Sequence, residues 1–150
     1  LTDSTRTDLP VAVADTSGLL AFFNPRDPHH DRCRAALRQL GHLVLPPFVL
    51  AELDYLLTAR AGGPAALQAL GYLSQGVLRS RFEVPEVGAH LPAARSVMQT
   101  YPDIGLTGAM NVVLAREFRT SSILTLDVKH FRTIRPLTAN SAFRLLPFDL

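Results

Sequence analysis

The sequence is poor in cysteine and lysine and contains no long apolar run. Its one cysteine, Cys33, cannot close an intramolecular disulfide, and no second cysteine repeats the spacing of a structural zinc site. A disulfide scaffold is thereby excluded, and a reducing compartment is expected. His29 and His30 share helical spacing with Cys33, but no further pair completes a zinc site. No stretch reaches the roughly 18 consecutive apolar residues of a membrane helix, and the start lacks a basic segment followed by an apolar one. The expectation is a cytoplasmic protein with no membrane association. Glycine-rich phosphate loops, the dinucleotide fingerprint and the Gly-x-Ser-x-Gly elbow are also missing.

What remains is a chain of 150 residues with 47% hydrophobic content, enough for one domain with a sizeable core. The 11 prolines and 9 glycines are spread out, so no stretch reads as a linker. Only residues 1–8 look like a flexible tail, which leaves 9–150 as the domain. Of the 15 basic residues Lys129 is the sole lysine, and the formal net charge is +2. Arginine suits bidentate phosphate contacts, although a GC-rich genome also favours it.

Short apolar runs alternate with helical patterns. Leu9 to Ala14, His42 to Leu45, Arg81 to Val84, Ser122 to Leu126 and a final stretch around Phe143 to Phe148 read as strands. Helices are predicted over His29 to Leu40, Phe48 to Arg60, Pro64 to Ser74, Leu91 to Tyr101 and Thr107 to Arg119, punctuated by Gly41, Gly62-Gly63 and the Pro102-Asp103-Ile104-Gly105 break. This alternation predicts an α/β domain with a mainly parallel central sheet of four to five strands and helices on both faces.

Two of the predicted strands run into an aspartate, Asp15 and Asp127. In open parallel sheets, ligands bind beyond the carboxyl ends of the strands, where distant parts of the chain converge. Two carboxylates meeting there repel each other unless a cation neutralises them, and Mg²⁺ accepts one or two carboxylates together with water and phosphate. Asp15-Thr16-Ser17 is also a good helix-capping sequence, and Asp127 could simply begin a turn. Glu52 and Asp54 flank the apolar stripe centred near Leu53 symmetrically, so periodicity does not choose between them.

Val13-Ala14-Asp15-Thr16-Ser17, Leu50-Ala51-Glu52-Leu53, Gly105-Leu106-Thr107-Gly108-Ala109 followed by Val112 to Ala115, and Ile123 to Asp127 with His130-Phe131 together resemble PIN-domain nucleases. The likeness is specifically to the VapC-like ribonuclease toxins of type II toxin–antitoxin pairs, and it spans roughly Val11 to Pro136. It implies a PIN-like fold in which Asp15, Glu52 and Asp127 bind Mg²⁺ or Mn²⁺ and cleave RNA, with Thr16 or Ser17 supporting the site. It selects Glu52 over Asp54, and it implies a homodimer and a cognate antitoxin. Asp15-Thr16-Ser17 also lacks the second aspartate of a haloacid-dehalogenase-like phosphatase.

The sequence departs from this pattern at Gly108, where such toxins usually carry aspartate. Glycine offers no oxygen and weakens a first helical turn. Three accounts of the glycine stand open, an introduced change, natural loss of activity, or compensation by an oxygen of Asn111 or Asp103, and impaired activity is the expectation. Lys129, His130 and Arg132, with Arg135 nearby and Arg26 and Arg116 as further rim candidates, are expected to hold RNA phosphates. The alternative is an inactive PIN-fold module that binds RNA or antitoxin. A phosphodiesterase acting on DNA or a small substrate is a third possibility, separable by the 2′-hydroxyl.

Overall fold

The apolar run that leads to Asp15 is unbroken because it is covered from both sides. In the computed structural model, which describes residues 10–150, it forms β1 (Val11–Ala14), with Ala12 and Ala14 in one apolar cluster and Val13 in another. That division follows the two-residue period of a strand. β1 is the middle strand of a five-stranded, wholly parallel sheet with β2 (His42–Val44), β3 (Phe82–Glu83), β4 (Ser122–Leu124) and β5 (Arg144–Leu146), ordered β3-β2-β1-β4-β5. The predicted parallel α/β sheet is therefore present, with all five strands. The predicted tail at residues 1–8 lies outside the described residues.

On one face sit α1 (Thr16–Phe23), α2 (His30–Gln39), α3 (Pro47–Ala61) and α4 (Gly63–Leu78), which bury Leu19, Leu37, Leu53 and Leu73. On the other sit α5 (Leu91–Thr100), α6 (Leu106–Glu117) and the single turn α7 (Val128–Phe131), which bury Val97, Met110, Leu114 and Phe131. Every residue of α6 from Ala109 to Ala115 is buried. Among the described residues no helix is long and apolar enough to cross a membrane.

Several elements differ from the sequence expectation. β4 ends at Leu124, before the expected Leu126, because the chain bends so that Asp127 can cap α7 by accepting the His130 N–H at 3.1 Å. α4 runs on past Ser74 to Leu78; Gly76 does not end it. Leu53 and Leu57 on α3 and Leu73 on α4 are buried, while Leu67 and Leu70 on α4 are exposed.

One close approach sets the geometry of the site. A Cβ on Gly18 would lie 2.4 Å from the Leu124 carbonyl oxygen, so only glycine lets the first turn of α1 rest on the end of β4. Asp15 N–H donates to the same carbonyl at 2.9 Å. The carboxyl ends of β1 and β4 are thereby drawn together where the strand order reverses, which is the switch point at which open α/β sheets take ligands.

Candidate active site

Asp15 follows β1 directly, and Asp127 follows the bend after β4. Between them stands Thr125, fully buried. Its hydroxyl donates to Asp15 Oδ2 at 2.7 Å and accepts the Asp127 backbone N–H at 2.9 Å, so one side chain fixes both acidic segments. Ser17 adds to this frame, its Oγ lying 3.4 Å from Asp15 Oδ2 and accepting the Leu126 N–H at 2.9 Å. On the far side of Asp15, Asn111 Nδ2 donates to Oδ1 at 3.0 Å.

Glu52 faces this pair from α3. Thr16 Oγ1 donates to its Oε1 at 2.6 Å, and Thr107 Oγ1, from α6, donates to its Oε2 at 3.0 Å. Thr16 and Ser17 thus each contact one of the acids, Glu52 and Asp15 respectively. Asp54 lies instead along an apolar crevice with Leu50 and Leu70, and the three-dimensional structure separates the two acids that periodicity could not.

Asp15, Glu52 and Asp127 line one open cleft of about 550 Å³, together with Asp103, Gly108 and His130. Burial, followed by the negative charges of Asp127 and Glu52, pushes the Asp15 carboxyl above the ordinary range; the Thr125 hydroxyl and Thr16 N–H oppose this only in part. His130 Nδ1 lies 2.9 Å from Asp127 Oδ2.

Among the described residues, no group of three or more His, Cys, Asp or Glu side chains is gathered tightly enough to hold an ion by itself. Each carboxylate is held instead on its own hydroxyl or N–H donors. The donor set nevertheless fits a hydrated Mg²⁺ or Mn²⁺, which commonly uses one or two carboxylates and keeps its waters. Two further observations agree with this fit: the Asp15 carboxyl is pushed up, mainly by burial and to a smaller degree by its acidic neighbours, and the buried Asn111 Oδ1 has no hydrogen-bond partner.

Gly108 lies at the cleft, in the first turn of α6, and the space beside it is filled. A Cβ there would meet Ile104 Cγ1 at 2.6 Å and Cδ1 at 2.8 Å, so an aspartate requires Ile104 to change rotamer. Asp103 is exposed on the cleft edge.

The basic residues divide. His130 borders the acidic cleft, while Lys129 lines an adjoining cleft of about 580 Å³. Arg132 borders neither; its guanidinium pairs with Asp149 at 2.7 and 2.6 Å, and each partner moves the other toward its charged form. Arg26 lines a third, largely apolar cleft that shares Leu20 and Arg60 with the acidic one. Cys33 is buried, its thiol pushed up to about 11 mainly by that burial, and the His30 ring is engaged by the Ala21 carbonyl at 2.9 Å.

The sequence reading missed Thr125, Thr107 and Arg60. Thr125 left a signal, being the one polar residue in the apolar run Ile123 to Leu126. Arg60 lies at the cleft eight residues after Glu52 and shares its helix face.

Residues 12–135 match the PIN domain family. Over 139 residues, the chain is 38% identical to Ribonuclease VapC26 of Mycobacterium tuberculosis, covering 90% of this chain and 99% of that protein. The fold is also similar to the crystal structure of VapC20 from Mycobacterium tuberculosis, a sarcin–ricin-loop-cleaving toxin. The TM-score is 0.68 at 20% identity, covering 80% of this chain and 92% of the other.

Proposed function

The chain belongs to the PIN-domain family, and from that premise we propose that it is a Mg²⁺- or Mn²⁺-dependent endoribonuclease toxin of the VapC type, impaired by glycine at position 108. The observation that carries this reading is the pairing of Asp15 and Asp127 through Thr125 at the sheet's switch point, with Glu52 across the cleft.

In this reading Asp15 and Asp127 hold the metal, and Glu52 supports it through water. The bound ion would supply Lewis-acid chemistry: charge neutralisation at the phosphate and activation of a water for in-line attack. Thr125 keeps the two aspartates at a fixed separation, so little reorganisation is needed when the substrate arrives. Thr16 and Thr107 orient Glu52, and Asn111 orients Asp15. Gly108 contributes no oxygen, and Ile104 holds the acid's place with an apolar side chain. A cognate antitoxin and a second copy of the chain are the partners proposed with this activity.

The test is cleavage of a mixed RNA pool in Mn²⁺ or Mg²⁺ by the chain as it stands and by Gly108→Asp, with Asp15→Ala as the blank. The aspartate variant is expected to cut at least about 100-fold faster, the scale of one lost electrostatic contact. Mn²⁺ is also expected to raise the Tm of the parent and not that of Asp15→Ala. If no variant cuts while all bind RNA, the inactive binding module takes the place of the nuclease.

A further inference from the structure

The acidic centre repels RNA everywhere except at a bound cation, so an RNA strand needs positive groups on either side of it. The structure supplies them at opposite ends. Glu52, Leu56 and Arg60 recur at every fourth position of α3 and line one wall of the acidic cleft. An α-helix rises 1.5 Å per residue, which places the Arg60 backbone about 12 Å from that of Glu52.

At the other end, the acidic cleft continues into the second cleft across Asp103, Ile104 and His130, which line both. The second cleft carries Lys129 and Tyr101. Tyr101 is half-buried against the core, and its hydroxyl oxygen accepts the Arg135 N–H at 3.1 Å, which fixes the ring at the cleft wall. Arg60 and Lys129 are the arginine and lysine side chains of these two clefts; Arg132 is engaged by Asp149.

Taking the ribonuclease reading as its basis, we propose that a single RNA strand runs from Arg60 across the acids into the Lys129–Tyr101 cleft. Arg60 and Lys129 hold the phosphates that flank the scissile one, and Tyr101 stacks the adjoining base. This makes Arg60 and Lys129 positioning residues and the second cleft a nucleotide subsite. A cleft of about 580 Å³ lies within the ordinary size of a small-ligand site, and a half-buried aromatic ring is the usual platform for an unpaired base.

The test is fluorescence anisotropy with a short labelled single-stranded RNA, in Ca²⁺ at several salt concentrations, with the RNA checked for intactness. The variants are Arg60→Ala, Lys129→Ala and Tyr101→Leu, each with its Tm recorded. Arg38→Ala, on the exposed face of α2, is the control. Each cation variant is expected to reduce the slope of log K against log salt by about 0.7, the value for one phosphate contact on a single strand. Tyr101→Leu is expected to weaken binding about ten-fold with the slope unchanged, and Arg38→Ala to leave both unchanged. If the parent binds RNA but the Arg60 and Lys129 variants keep its affinity and slope, the path is wrong and the ribonuclease reading stands. If the parent binds no RNA, both fall.

Discussion

Asp15 directly follows β1, Asp127 follows the bend after β4, and a buried hydroxyl ties the two together, whereas Glu52 and Gly108 stand on helices and reach the cleft from its open side. The first half is fixed by the backbone: the parallel pairing of β1 with β4, the Asp15 N–H on the Leu124 carbonyl, and α1 resting on that strand end through Gly18. The second half is fixed by side chains alone, with Thr16 and Thr107 holding an exposed Glu52. The aspartate pair can therefore be rigid while the groups facing it remain free to change, and the glycine at 108 falls in the changeable half.

The sharpest way to break this contrast is Gly18→Ala. The new methyl would press on the Leu124 backbone, which has no rotamer to change, and overpacking of this kind costs about 1–3 kcal/mol. Thermal unfolding should show a Tm lower by several degrees. An unchanged Tm would mean that α1 is not held against β4 and that the strand half is less rigid than described.

The strand half was also the legible half. Apolar runs that end on aspartate place an acid at the sheet edge whatever the detail of strand pairing, so Asp15 and Asp127 could be singled out from the pattern. Glu52 could not be separated from Asp54, because both flank the same stripe and only the position of α3 against the cleft distinguishes them. Arg132 fell in a basic run, and nothing local showed that Asp149, at the other end of the C-terminal segment, takes its guanidinium. Thr107 and Arg60 depend likewise on how helices meet. α7 was missed because one turn capped by Asp127 carries no periodicity.

A second, smaller effect compares the halves directly. Thr125→Val keeps the shape but leaves Asp15 Oδ2 without its shortest donor and the Asp127 N–H without its acceptor, a loss of about 1–3 kcal/mol for buried groups. Thr107→Val removes a bond to an exposed carboxylate that water can replace, so its cost should stay within about 0.5 kcal/mol. Urea titration of both variants measures the difference. Equal losses would erase the distinction between a backbone-fixed and a side-chain-fixed half.

The smallest expected effect is graded with pH and isolates the strain carried by Asp15 itself. Its folded-state pKa is raised, first by burial and then by Asp127 and Glu52, so over the range above the ordinary carboxylate value the folded chain binds more protons than the unfolded one. Stability then falls as pH rises through that range and levels off above the folded pKa. Asparagine at position 15 does not titrate and still accepts from Asn111, so Asp15→Asn should unfold at a higher temperature than the parent near neutral pH. The gap should close as pH is lowered toward the ordinary carboxylate range. Mn²⁺ should narrow the same gap from the other side, by stabilising only the parent. A gap that stays constant with pH would show that Asp15 is held in its charged form by its hydrogen bonds alone, and that the two aspartates do not strain each other across Thr125.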